Sequence, residues 1–299
     1  MTVGPWWAQR AAQLLEPKRL DGLELGALWR LNESLHFVRE NVEPKLLLVD
    51  LARAPALAAL WAAFQLREIE VRSALRSSNA RVARSISSGS LNKVDFRSGW
   101  EALGFATNEQ DAGTPADDYL DGLFDSPRAE QSAELPLLGS PNMATRARKA
   151  ADFLSTMEPS GDDVVFDLGS GSGKMALTVS TSCDARVVGV EICAPYVDAS
   201  RVSAKSLSLL NCRFDCVDVR EADLSEGSIF YLYFPFRGAL AQSVAERLGG
   251  LAKHKDIRIY ATGPLGEFGV HFEREVTKGT LSLSGKRGEF GETLLLQSA

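Results

Sequence analysis

Cysteine and histidine are scarce: the 299 residues hold only four of the first and three of the second. No two cysteines stand in a C-x-x-C pair, which argues against a zinc centre and predicts a protein without a resident metal. Cys183, Cys193, Cys212 and Cys216 read instead as free thiols in a reducing compartment. An excess of positive charge is missing too. Lys and Arg number 33 against 39 Asp and Glu, a formal net charge of −6, which argues against a general binder of polyanions, DNA included. Long hydrophobic runs are absent as well. The longest charge-free one in the N-terminal half, residues 54–66, falls short of the roughly 20 residues a membrane-spanning helix requires. The first residues lack the basic start and apolar block of a secretory leader. Together these absences predict a soluble, cytoplasmic protein with no membrane partner.

What is present divides into three parts. Residues 1–105 read mainly as helix, with Leu57, Leu60, Trp61 and Phe64 at the i, i+3, i+4, i+7 spacing of one buried face. Pro44 and Pro55 predict several helices here rather than one long rod. From Arg72 to Arg97 the balance turns basic, with Arg76, Arg81, Arg84 and Lys93 between them against Asp95 alone; a solvated helix face is the simpler reading and an RNA contact the alternative. Residues 106–141 are rich in Gly, Pro, Ser, Asp and Glu and read as a linker or lid, with one apolar island at Tyr119, Leu120, Leu123 and Phe124. Residues 142–299 form the third part, opened by a helix over 143–157 with Asn142 as its N-cap.

The third part is organised around one stretch. Val164, Val165, Phe166 and Asp167 read as a buried strand ending on a carboxylate. Gly169, Ser170, Gly171, Ser172 and Gly173 then form a G-x-G-x-G turn, and Met175, Leu177 and Val179 begin a helix. Such a turn is expected to leave bare backbone N–H groups at a positive helix end. Dinucleotide enzymes space their glycines G-x-G-x-x-G, so the third glycine here comes one residue early. Asp167 also suits a cationic amine better than a pyrophosphate. Further strands are expected over 185–191, 212–219, 228–236 and 257–262. Glu191 ends the first of these, the second strand overall, 22 residues after Gly169, close to the roughly 20 expected of a carboxylate that binds ribose hydroxyls. Asp218 and Val219 end the third. The fourth ends on Tyr233, Phe234, Pro235 and Phe236. Helices fit 195–210 and 239–251. The tail, with Phe272, Val276, Leu281, Leu283 and Leu294 to Leu296, reads as a long antiparallel hairpin closing the sheet.

This ordered set resembles the class I, seven-strand methyltransferases that use S-adenosylmethionine (SAM). The resemblance covers about half the chain. It implies an α/β Rossmann-like sheet with helices on both faces, behind a mostly helical N-terminal region that carries substrate selectivity. It also implies a cofactor site made of Asp167, Gly169, Ser170, Gly171, Gly173, Glu191, Asp218 and Val219, with Asp218 on the adenine amine and Val219 against the ring. In amine-methylating relatives the fourth strand often ends on an Asn or Asp beside prolines and an aromatic. This chain keeps Pro235 and Phe236 but has aromatics in place of the amide or acid. That end resembles seven-strand protein-lysine methyltransferases and some small-molecule ones, and it makes Tyr233, Pro235 and Phe236 the expected substrate pocket. A protein lysine or a small molecule is therefore the expected acceptor ahead of RNA. Two other readings stand beside this one: a SAM-binding partner protein without turnover, and an NAD-dependent oxidoreductase. His36 and His271 qualify as proton carriers by residue type alone.

Overall fold

The computed structural model describes residues 10, 13–15, 20, 25–46, 54–105, 114–124, 145–233, 236–263, 266–287 and 293–299. Three helices lead the chain: α1 (Leu25–Leu46), α2 (Pro55–Ser87) and α3 (Lys93–Glu101). Pro55 sits in the first turn of α2, where its missing N–H costs nothing. Pro44 lies inside α1 without ending it. Trp61 and Phe64 of α2 are buried and stacked 5.2 Å apart. Arg39 of α1 donates through Nε to both oxygens of buried Glu68, at 2.9 Å each.

The apolar island of the expected linker is a core helix, α4 (Pro115–Phe124), with Tyr119, Leu120, Leu123 and Phe124 all buried. A capping box starts it: the Asp117 N–H donates to Thr114 Oγ1 and the Thr114 N–H to Asp117 Oδ2, each at 3.2 Å. The flanking residues 106–113 and 125–144 lie outside the described residues, and with them Asn142 and Met143. The following helix, α5 (Ala147–Met157), has Arg146 at its N-cap with no side-chain cap bond of its own. Asp117 serves that end from outside, accepting from the Ala147 N–H at 2.7 Å.

The remainder alternates: β1 (Val164–Leu168), α6 (Lys174–Ser182), β2 (Arg186–Glu191), α7 (Ala194–Ser206), β3 (Cys212–Cys216), β4 (Ile229–Tyr233), α8 (Gly238–Ala252), β5 (Arg258–Thr262), α9 (Gly266–Thr277), β6 (Leu281–Arg287) and β7 (Thr293–Ser298). The strands form one seven-stranded sheet in the order β3-β2-β1-β4-β5-β7-β6. The first five are parallel, and β7 runs antiparallel to both β5 and β6. The expected closing pair is therefore present. Phe272 and Val276, however, belong to helix α9 rather than to an alternating strand; their i, i+4 spacing is a helical one. Every residue of β1 is buried, as expected of a central strand covered on both faces.

Two apolar clusters flank the sheet. One joins α5, α6 and α7 to the N-terminal helices; the other lies under α8 and α9. Strand order reverses between β1 and β4, and open α/β sheets bind ligands outside the carboxyl ends of the strands at such a switch point. Every residue of α6, the helix that starts there, is buried. Its polar side chains are absorbed locally: Thr178 and Thr181 donate to the carbonyls of Lys174 and Leu177, and Ser180 to Asn211 Oδ1.

Lys174, first in α6, fastens the N-terminal half to this point. Its ammonium reaches Asp117 Oδ1 at 3.1 Å and Asp121 Oδ1 at 2.8 Å. Burial opposes ionisation of Asp117, but Lys174 and the N–H groups of Ala147 and Thr114 outweigh it and hold its pKa below the ordinary value. Removing one partner of a buried pair strands the other's charge, at a cost of about 3–5 kcal/mol. Lys174→Met is expected to lower stability by about 3 kcal/mol in urea unfolding, and the double variant with Asp117→Asn to recover most of it.

Candidate functional site

The Gly-rich turn leaves the end of β1 through three left-handed residues, Gly169 (φ 82°), Gly171 (φ 53°) and Gly173 (φ 80°). Glycine adopts this backbone at no steric cost, whereas a Cβ is strained in it. At Gly173 crowding adds to the strain: a Cβ would lie 2.6 Å from Ser200 Oγ and 2.8 Å from the Phe214 ring. The turn is not a row of bare N–H groups. Gly169 and Ser170 donate to the Val190 carbonyl at 2.8 and 3.0 Å, Gly173 donates to the Ser170 carbonyl at 2.9 Å, and Gly171 donates to Glu191 Oε2 at 2.9 Å. With these four donors engaged internally, the turn offers fewer N–H groups to a phosphate than its glycine count suggests.

Asp167 stands at the switch point, in register with Gly189 of β2 and Tyr231 of β4. Its side chain lies on the face covered by α6 and accepts the backbone N–H of Ala176, but Oδ2 is buried and has no partner among the described residues. Burial, reinforced by the charge of Glu191 and opposed by the Ala176 N–H, raises its pKa to about 7. The hydroxyl of Ser170, three residues on, is likewise buried and unpartnered. Buried polar atoms are normally hydrogen-bonded, and for these two the described residues supply no bond.

Glu191 ends β2 on the same face. Gly171 holds Oε2 and the Cys193 N–H donates to Oε1 at 2.8 Å. A carboxylate has about four acceptor positions, so each oxygen keeps one for hydroxyl donors. Asp218 lies just past β3, after Val217, whose N–H donates to the Glu191 carbonyl at 3.0 Å. Its carboxylate is engaged by Arg220, and Val219 beside it is buried in the second cluster. The Arg247 guanidinium donates to the carbonyls of Val219 and Ala222 and so fixes this loop.

At the end of β4, Tyr233 is half-buried against the first cluster. It follows Tyr231 by two residues, which puts it on the face of Asp167. Pro235 lies outside the described residues. Phe236 is buried in the second cluster, across the sheet from Tyr233. Sequence reasoning passed over Tyr231, which is fully buried, meets Thr145 Oγ1 at 3.4 Å and stacks on Tyr260 at 5.7 Å. Phe153 of α5 packs edge-on against both rings, at 5.3 and 5.5 Å. The period-2 pattern of β4 was the available signal, since residues 231 and 233 share Asp167's face. Among the described residues no group of three or more His, Cys, Asp or Glu is arranged to hold a metal. No described helix is long and apolar enough to cross a membrane.

Residues 165–247, from β1 into α8, match the family described as a methyltransferase domain. A class I, Rossmann-like methyltransferase sheet is therefore the fold of this region, and SAM is the cofactor such a domain implies. A search of the curated proteins finds no match. Among solved structures the chain is similar to an RNA methyltransferase from Salinibacter ruber in complex with S-adenosyl-L-homocysteine, at 20% identity over 52% of this chain and 92% of that one, with a TM-score of 0.40. It is also similar to a SAM-dependent O-methyltransferase from Thermotoga maritima, at 10% identity over 52% and 66%, TM-score 0.42. A third is magnesium protoporphyrin IX methyltransferase from Synechocystis with bound SAM, at 13% identity over 50% and 76%, TM-score 0.37. None of the three bears on this chain's acceptor.

The raised pKa of Asp167 has a signed consequence for stability. Between its ordinary value of 3.8 and about 7 the folded chain holds a proton that the unfolded chain has released, so this group lowers stability as pH rises across that window. Asp167→Asn is expected to flatten the fall in urea midpoint between about pH 4 and 7 relative to the wild type. Parallel curves for the two proteins would contradict the assignment.

Proposed function

We propose that this protein transfers the methyl group of SAM to a nucleophilic atom of its substrate, with a protein lysine or a small molecule favoured over RNA. The observation that carries the reading is the sealed Asp167 carboxylate with its unpartnered Oδ2 beneath the Gly-rich turn. A fixed, desolvated carboxylate is stabilised by a cationic donor, and the amine of SAM is one. Ser170 supplies a second polar contact, Glu191 its remaining acceptor positions for ribose hydroxyls, and Asp218 with Val219 the adenine end. SAM bound there supplies an electrophilic methyl on a sulfonium centre.

The chain's own contribution is mainly placement, since alignment of reacting groups alone can supply about 7–11 kcal/mol. The turn and β1 fix the cofactor end. Tyr233 lines the acceptor side, where its ring faces developing positive charge and its hydroxyl can hold a substrate amine. The N-terminal region, residues 1–105, and the segment 106–141 carry acceptor selectivity, while residues 142–299 form the catalytic domain. Within the basic run on α2 and α3, Arg72, Lys93 and Arg97 pair with Glu68, Asp184 and Glu101, which favours a solvated helix face over an RNA contact for that half of the run. The internally bonded turn weighs against NAD. A second reading, a SAM-binding partner without turnover, draws on the lack of any acid or amide at the end of β4.

Asp167→Ala is expected to weaken SAM binding by about 10- to 100-fold in calorimetric titration, the loss of one buried charge-assisted contact. Unchanged affinity in the folded variant would remove Asp167 from the site. Tyr233→Phe is expected to leave SAM affinity within about two-fold while lowering turnover about tenfold, one hydroxyl contact at the acceptor. Release of S-adenosylhomocysteine over a panel of peptides and metabolites measures this, and equal rates would make Tyr233 a packing residue.

A further inference from the structure

The adenine end of the site is closed by the protein itself. Asp218 Oδ1 accepts from the Arg220 backbone N–H at 2.8 Å and from Arg220 Nε at 3.0 Å; Oδ2 accepts from the same Nε at 3.1 Å and from Nη2 at 2.5 Å. These contacts engage each oxygen twice, which is about all that a carboxylate can accept. Little is left for the exocyclic amine of an adenine. Glu191, by contrast, is held by one N–H on each oxygen and retains capacity.

The two halves of this arrangement differ in mobility. The loop backbone is fixed by the N–H groups of Glu221 and Ala222 donating to the Asp218 carbonyl and by Arg247 on the carbonyls of Val219 and Ala222. The Arg220 guanidinium is exposed, and among the described residues Asp218 is its only hydrogen-bond and ion-pair partner. Swinging it into solvent frees one acceptor position on Oδ1 and both on Oδ2, while the backbone bond keeps the carboxylate aimed.

We infer that Arg220 is an internal competitor for the adenine amine, a side chain that must leave Asp218 before the 6-amino group can bind there, and that it thereby sets cofactor affinity and base selectivity. This rests on the reading of Asp218 as the adenine contact. An exposed ion pair between neighbouring residues is weak and screened by salt, so the competition tunes affinity rather than blocks it.

The test compares S-adenosylhomocysteine with its 6-deamino analogue, which carries hydrogen in place of the amine, by calorimetric titration of the full chain. Arg220→Ala and Arg220→Gln are expected to bind S-adenosylhomocysteine roughly two- to five-fold more tightly than the wild type. Affinity for the deamino analogue, which has no need of Asp218, is expected to stay unchanged. The gap between variant and wild type is expected to close near 1 M salt, where the screening length falls to about 3 Å. Equal changes for both ligands, or weaker binding of S-adenosylhomocysteine by the variants, would overturn the proposal and leave the cofactor site standing. No binding of S-adenosylhomocysteine by the wild type would overturn the site assignment and this proposal together.

Discussion

A carboxylate sealed from water at the end of the central strand constrains everything around it. Asp167 is fully enclosed between β2, β4 and the start of α6, yet one of its oxygens is unpartnered. Burial of that kind costs free energy unless something compensates, and the surroundings limit what can. The Ala176 N–H offsets part of the cost, while Glu191 on the next strand adds to it. The Gly-rich turn can pass over the carboxylate because its three glycines take left-handed backbone, and it is clasped in place by the Val190 carbonyl and the Glu191 carboxylate. Glu191 thus does two jobs: it holds the turn shut and keeps acceptor positions open.

The same turn joins the two halves of the chain. Lys174, the residue after the last glycine, is buried by α4 and paired with Asp117, which also caps α5 and closes its own helix's capping box. The N-terminal helices therefore meet the start of α6 through the ion pairs of Lys174 with Asp117 and Asp121 as well as through the shared apolar cluster.

Much of this was legible in the sequence, for identifiable reasons. Strands β1, β2 and β4 are apolar runs bounded by turn residues, and acids at their ends or just beyond are conspicuous because buried strands rarely tolerate them. Asp167 and Glu191 stand where that reasoning put them. What escaped it depends on contacts between residues far apart in the chain. Asp117, Asp118 and Asp121 make α4 look like a solvated linker, because Asp117's counter-charge lies 57 residues away at Lys174. The burial of α6 all the way round also goes beyond its apolar positions Met175, Leu177 and Val179, because its Thr hydroxyls bond to carbonyls of the same helix. In α9, Phe272 and Val276 were grouped with the strand residues after them, an error of period. The bonds within the turn were invisible because they join its N–H groups to β2, 20 residues on. Phe236 lies across the sheet from Tyr233, as the odd spacing of the two residues implies.

The most direct test of the cofactor site is a parallel calorimetric titration of the intact protein with SAM, S-adenosylhomocysteine and NAD. Binding of the first two and not the third is the predicted result, because a sealed carboxylate under an internally bonded turn accepts a cationic amine and offers little to a pyrophosphate. Binding of NAD alone would contradict the account at its base, since it would require the turn to present the N–H groups it uses to hold itself together.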